Sequence, residues 1–308
     1  MVKRFQNRIA ESRSSFPVAA LLCTLLWGLI GWDNYSMRIS YAAVAIATLL
    51  MVEFNNANVL IRIYSRMVSC TFLVLMTMST FNLQDYGIAI VSMCCIGHYL
   101  ASFRSYQDKN AVGCIFYAYL CLGIASIFNV NILYMLPLFL IVQRTNLLAF
   151  SFRILCAALL GLICPYWFLT AYCVAFGKLH FLTHHFAPLV QFCEVGDFTL
   201  LSLSQTVCVA FVFVLAIIGA IHFLRNSSSD KIRTRMLYEM FIIVDVFSFT
   251  ILAIQPRLFN PLYGIIVINT SPLIAHFIAL THTRWSNIMT IIIILLSVVI
   301  TIFSAWII

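Results

Sequence analysis

Apolar residues run in long blocks along this chain, and polar residues punctuate the gaps. The blocks cover residues 16–31, 41–54, 67–81, 86–103, 111–128, 132–142, 154–176, 204–224, 237–254, 261–280 and 287–308. Most approach the ~20 residues that a helix needs to span the ~30 Å hydrocarbon core of a bilayer. The pattern predicts an all-α, polytopic transmembrane helix bundle of about eleven spans. The sixth block is short, and if it is tilted or re-entrant the number is ten. The connections are short, so residues 1–308 read as one integral membrane domain: a first part to residue 176, an outer loop at 177–203 and a C-terminal set of helices at 204–308. No internal repeat is clear enough to give inverted-repeat transporter symmetry.

Charge sets the orientation. With the N-terminus in the cytoplasm, fifteen of the eighteen basic residues fall on the inner side, and only Arg38, Lys178 and Arg257 fall outside. Basic residues collect on the cytoplasmic side of membrane proteins, and a wrong span count would scramble the alternation downstream of the error. Eleven spans, a cytoplasmic N-terminus and an outer C-terminus are therefore expected. The basic start and first apolar block lack a small-x-small cleavage site, which reads as an uncleaved first span rather than a signal peptide. Ser15 and Pro17 suit the cap and first turn of that helix.

Composition narrows the class. The chain is 63% hydrophobic and 9% charged, whereas a soluble domain needs roughly a quarter charged residues to cover its surface. The net charge of +8 does not imply a nucleic-acid partner, because the basic residues punctuate apolar blocks instead of forming one patch. No Walker loop or G-x-G-x-x-G motif is present, so no nucleotide site is expected. The eleven cysteines lie mostly inside the blocks, without zinc-finger or disulfide-framework spacing, and read as small core residues.

Two resemblances are carried by particular segments. "ESRSSFPV", "FNNANVLIRIYSRM", "FRSYQD", "KIRTRM" and "INTSPLIAHFIALTHTR" resemble, end to end, a family of uncharacterised bacterial multi-pass inner-membrane proteins. That resemblance implies a bacterial inner (cytoplasmic) membrane and no mechanism. In the first half, residues 1–176, "AVGCIFYAYLCLGIASIFNVNILYMLPLFLIVQRT" precedes a basic loop and "ALLGLICPYWF". This order is similar to the GT-C class of polyprenyl-dependent glycosyltransferases. The likeness implies a polyprenyl-phosphate-linked sugar at the outer face and a catalytic acid just after the first span, where Asp33 stands. The chain departs from that class in its short first outer loop, its single acid there and its lack of a soluble C-terminal part.

Four groups of residues are candidates for chemistry. On the outer side, Asp33 with Asn34, Arg38, Lys178 and Arg257, alongside Asp85, Asn129 and Asn131, would form a polar mouth for a phosphate, with Asp33 as general base or metal ligand. The plainer reading is ordinary loop polarity. In the outer loop, His180 and His184 share a helix face and His185 is adjacent, a set that suits a divalent metal. The spacing matches no named metal motif, and the plainer reading is an interfacial belt. Within the membrane, Asp245 is an expensive acid at the depth of Ser271 and Pro272, one turn from Asn269 and His276. It reads as a polar clasp between two helices, or alternatively as a proton or substrate relay with His276. At the inner face, Glu53, Arg62 and Arg66 read as a hairpin bend, with Glu53 paired to an arginine and Arg62 and Arg66 sharing one side of a helical turn. The alternative is a lipid-headgroup or partner site. His98 and His222 read as inner anchors, and the five tryptophans as an aromatic belt.

Three functions compete. The first is a non-enzymatic subunit or scaffold of a cell-envelope system. The second is a shortened GT-C-like protein at the outer face. The third is a transporter or flippase using Asp245. Membrane lipids are partners in all three. The sequence names no cofactor, and a divalent metal is possible but not favoured.

Overall fold

The structure is a computed structural model that describes residues 4–31 and 34–306. Its helices are α1 (Phe5–Glu11), α2 (Ser15–Gly31), α3 (Tyr35–Asn58), α4 (Met67–Met78), α5 (Tyr86–Phe103), α6 (Val112–Phe128), α7 (Leu136–Thr145), α8 (Phe152–Ala175), α9 (Leu179–His185), α10 (Leu203–Asn226), α11 (Ile232–Ile254), α12 (Phe259–Leu280) and α13 (Arg284–Trp306). No strand occurs among the described residues. Each apolar block of the sequence holds one of these helices, and α1 and α9 are short additions. Among the described residues, seven helices are long and apolar enough to cross a membrane, or eight if α1 and α2, which meet at 89°, form one bent span. The chain is a multi-pass membrane protein. The helices at 67–78, 112–128 and 130–145 are shorter apolar pieces, the last beginning as a 3-10 turn.

The centre of the bundle is α12. Residues 261–279 are buried without a break, because α4, α5, α10 and α11 pack around them. Close approach of α10 needs Gly219, since a Cβ there would sit 2.7 Å from the Leu273 carbonyl carbon. In lipid the apolar effect does not drive helices together, so small residues and packing do that work. On the flank, α6 packs on α5 and α8 packs on α6. Gly123 lets α8 in, its Cβ position lying 2.6 Å from the Leu162 carbonyl oxygen. The C-terminal α13 turns Thr290, Ser297, Thr301 and Ser304 inward and leaves a row of aliphatic residues exposed.

The N-terminal helix α1 was not legible as a helix in the sequence. It lies over the end of α12 and caps it. Gln6 Nε2 donates to the Ile278 carbonyl at 2.6 Å, and Asn7 Nδ2 donates to the Thr281 carbonyl at 3.1 Å. Arg4 donates to the His282 carbonyl. The last carbonyls of a helix have no partner within it, so a buried C-terminus needs such donors.

Hydrogen bonds between connections fall into two sets. One set joins Arg62 to Ser229, Arg233 to Asn58 and Phe103, Gln107 to Leu147, Asn146 to Met236, and Ser151 to Lys109. The other joins Ser36 to Gln84, Thr80 to Ser304, Tyr134 to Leu189, Gln255 to Cys193 and Arg257 to Gln191. Among the described residues none of these bonds links a connection of one set to one of the other.

Several local expectations are corrected. Helix α2 begins at Ser15 itself, whose hydroxyl donates to the Ser12 carbonyl, so Ser15 is not the cap. Trp27 is not in a belt: it is buried in α2 and stacks on Tyr41 with centroids 5.1 Å apart. Trp167, Trp285 and Trp306 are exposed. His98 is a core residue, with Nδ1 3.1 Å from the Ala118 carbonyl oxygen and its ring against Phe139.

Candidate functional site

A helix wholly surrounded by protein can carry polar side chains only if each finds a partner. On α12 the partners come from α4, α5 and α11. Tyr99 of α5 donates its hydroxyl to Asn269 Oδ1 at 2.9 Å. Thr71 of α4 donates to the Ser271 carbonyl at 3.1 Å, and Tyr238 of α11 to the Pro272 carbonyl at 3.3 Å. Ser271 returns its own hydroxyl to Val267 in the preceding turn. The result is a polar thread down the middle of the bundle. Two ionisable groups lie along it.

The first is Asp245, buried on α11. Thr270 donates its hydroxyl to Asp245 Oδ2 at 3.0 Å. The clasp between α11 and α12 therefore runs through Thr270, not through Asn269 or Ser271. Sequence depth alone located the right turn of the helix; the face was set by how α11 and α12 are rotated against each other. The other oxygen, Oδ1, is buried without a protein partner. The carboxyl lines a groove of about 410 Å³ between α10 and α11, otherwise walled by Phe213, Ile217, Val246 and Phe249.

The second is His276. Its Nε2 lies 3.0 Å from Asp230 Oδ2, and the two side chains are only 1% and 3% exposed. This bears on the alternative reading, a relay from Asp245 to His276: His276 pairs with Asp230, and Asp245 with Thr270. Position 276 is six residues beyond 270, about 9 Å along the axis at 1.5 Å per residue. Asp230 is the one acid in the basic stretch between Arg225 and Arg235, which was the available signal for it. The imidazole is boxed by rings, with Tyr238 at 5.0 Å, His222 at 5.3 Å and Phe223 at 5.6 Å between centroids. His222 itself holds Asn226 through Nδ1 at 3.1 Å. Asp230 fixes one tautomer of His276, and Nδ1 is left without a protein partner. The pair is almost wholly closed off and joins the 227–231 turn to α12.

Among the described residues, no side-chain hydrogen bond joins the outer candidates Asn34, Arg38, Lys178 and Arg257 to one another. Asp33 lies outside the described residues. Asn34 caps α3 by accepting the Ser36 amide, Asp85 caps α5 by accepting the Gly87 amide, and Asn129 accepts the Asn131 amide. Arg38 stands 5.8 Å over the Tyr35 ring, and Arg257 ties down Gln191. Lys178 precedes α9 without a side-chain cap bond. Asn34, Asp85 and Asn129 are polar because helix ends need caps.

The histidine loop divides. His180 and His184 stack on one face of α9 with Nε2 atoms 3.1 Å apart and are exposed. His185 turns the other way, toward Tyr166 at 3.3 Å, and Tyr166 donates to Ser126 at 2.8 Å. Residues four apart share a helix face and the next residue is rotated ~100° from it. Burial pushes the His185 imidazole below its ordinary value of 6.5. No group of three or more His, Cys, Asp or Glu side chains is placed to hold a metal ion among the described residues.

The inner bend also differs from expectation. Residues 59–66 are not helical, and Val59 ends α3 in the left-handed region at φ 49°. Arg62 and Arg66 therefore do not share a helix face. Arg62 donates to the Ser229 carbonyl at 3.4 Å and Arg66 to Tyr64 at 3.3 Å. Glu53 is exposed on α3 and forms no ion pair with either arginine. Asn55 closes the bend instead, donating to the Ser65 carbonyl at 3.0 Å.

Comparison of the sequence with family models and with curated proteins, and of the fold with solved structures, found no match.

Proposed function

We propose that this chain crosses a bacterial inner membrane eleven times, with its N-terminus in the cytoplasm, and serves as a non-enzymatic subunit or scaffold of a cell-envelope system. One observation carries the reading: the polar side chains along the central helix are engaged in holding helices together, and of the outer candidates Asn34, Asp85 and Asn129 cap helices and Arg257 ties a loop. A catalytic or transport site would leave several such groups converging on open space. The topology is supported by the two sets of connecting hydrogen bonds, which coincide with the two sides expected from charge. Even the short α4 and α7 run from one set to the other: Ser65 and Thr80 flank α4, and Tyr134 and Asn146 flank α7.

Two experiments test this. Alkaline-phosphatase fusions at Gln84 and Leu189 are expected to be active, and those at Gln107, Leu147 and Ser229 inactive; a reversed fusion overturns the eleven-crossing order. Photo-crosslinkers at Trp167, Phe168 and Tyr172 of α8 are expected to give one discrete protein adduct. Blue-native gels of gently solubilised membranes are expected to show a species heavier than the 34.9 kDa monomer. Lipid adducts alone, with a monomeric species, overturn the scaffold.

A second reading, transport or flipping through Asp245, is favoured by the unpartnered Oδ1 on the α10–α11 groove. It requires Asp245→Asn to abolish proton-coupled flux in reconstituted vesicles, and unchanged flux ends it.

A further inference from the structure

The second groove of the bundle has a different chemistry from the one at Asp245. It lies between the first halves of α6 and α8, encloses about 560 Å³, and is walled by Val112, Phe116, Tyr117, Cys156 and Leu160. Gly113 opens its floor, with nothing within 4 Å of where a Cβ would stand. The walls are apolar, and one end is not: Arg153 lines the groove and is exposed.

That end is built to gather positive charge. Ser151, the cap of α8, donates its hydroxyl to the Lys109 carbonyl at 3.2 Å, which draws the starts of α6 and α8 together. The bond sets the Lys109 backbone beside the end of the groove that Arg153 lines. Neither side chain makes a hydrogen bond or ion pair among the described residues, and both are exposed. Asp108, the acid beside Lys109, accepts the Asn110 amide at 2.8 Å. An apolar slot within the membrane, ending in two unpaired cations at the polar boundary, is complementary to a molecule with a hydrocarbon tail and an anionic head. Basic pockets between transmembrane helices bind phospholipid headgroups on this principle, and snorkelling Arg and Lys reach the phosphate level.

We infer that the α6–α8 groove binds an anionic phospholipid, with one acyl chain along Phe116, Tyr117 and Leu160 and its phosphate on Arg153 and Lys109. The inference stands apart from the scaffold reading, since it requires only that these helices lie in a bilayer.

The test uses the full chain purified in mild detergent and titrated with phosphatidylglycerol or phosphatidylcholine in native mass spectrometry. Phosphatidylglycerol is expected to bind more tightly. Lys109→Ala with Arg153→Ala is expected to weaken it by about fivefold for each cation removed, at about 1 kcal/mol per basic residue near an anionic surface. Phosphatidylcholine binding should stay the same in that variant. Lys109→Arg with Arg153→Lys keeps the charges and should keep the preference. Gly113→Phe fills the groove without a backbone clash and should displace the lipid. Gel filtration and circular dichroism confirm that each variant is folded. Equal binding of the two lipids, or undiminished phosphatidylglycerol binding in the alanine pair or in Gly113→Phe, overturns the proposal. So does full competition by inorganic phosphate, which would mark an ion site with no use for the tail.

Discussion

Helices α12 and α8 are both apolar, both long enough to cross a membrane, and both carry an internal proline. Their surroundings are opposite. Helix α12 is buried along its length, whereas α8 leaves Leu160, Trp167, Phe168 and Tyr172 exposed. The difference lies in the polar residues. Helix α12 carries Asn269, Thr270, Ser271 and His276, each tied to a neighbour or to its own preceding turn. On α8, Thr170 returns its hydroxyl to its own Tyr166 carbonyl and needs no neighbour. Lipid is as apolar as leucine, so hydrophobicity does not select which helix goes to the centre. The cost of leaving polar groups in hydrocarbon does.

Substitutions can break this contrast. The largest loss is expected for Gly219→Leu, because the Leu273 backbone lies where the new side chain must go and cannot yield as a flexible side chain can. Folded protein in gel filtration should largely disappear. Next is His276→Ala, which leaves the buried Asp230 carboxylate alone and should cost about 3–5 kcal/mol in detergent unfolding. The double variant with Asp230→Asn should cost less than the sum of the singles. Asn269→Leu strands the Tyr99 hydroxyl and Tyr99→Phe strands Asn269 Oδ1, so each should cost about 1–3 kcal/mol. On α8, Leu160→Ala and Phe168→Ala should change stability by less than about 0.5 kcal/mol. If these equal the α12 losses, the contrast is wrong.

The smallest expected effect is local to the C-terminal part of α8, where His185 meets Tyr166. Burial lowers the folded-state value of His185 below the ordinary 6.5, so the folded loop favours the neutral ring. The contribution is therefore complete above about pH 6.5 and is lost as pH falls toward the lowered value. Hydrogen-exchange protection factors over 179–186 should fall as pH is lowered from 7 through 6.5, while those of α12 stay high. No change in that window removes the role given to His185.

Helix positions were readable because each apolar block is continuous and each boundary is polar. The candidate sites were read less well, for reasons particular to each residue. Asp245 stood out as an acid in an apolar block, but its partner Thr270 is one of several polar residues on α12 and nothing in one dimension prefers it. Asp230 was hidden in a basic loop, where an acid reads as ordinary. Asn34 and Asp85 looked like a binding mouth because caps and ligand sites draw on the same side chains. Gln6 gave no signal, since only the fold brings it to the end of α12.

The sequence by itself determined the class, the run of helices and the sorting of basic residues into two groups of connections. These follow from the length and composition of single segments in contact with lipid. Only the tertiary structure decided that α12 is central, that His276 meets Asp230, that Lys109 stands beside the start of α8, and that His185 parts from His180 and His184. Those depend on how each helix is rotated about its axis and against which neighbour. Partners distant in sequence set that rotation, and hydropathy along one segment does not encode it.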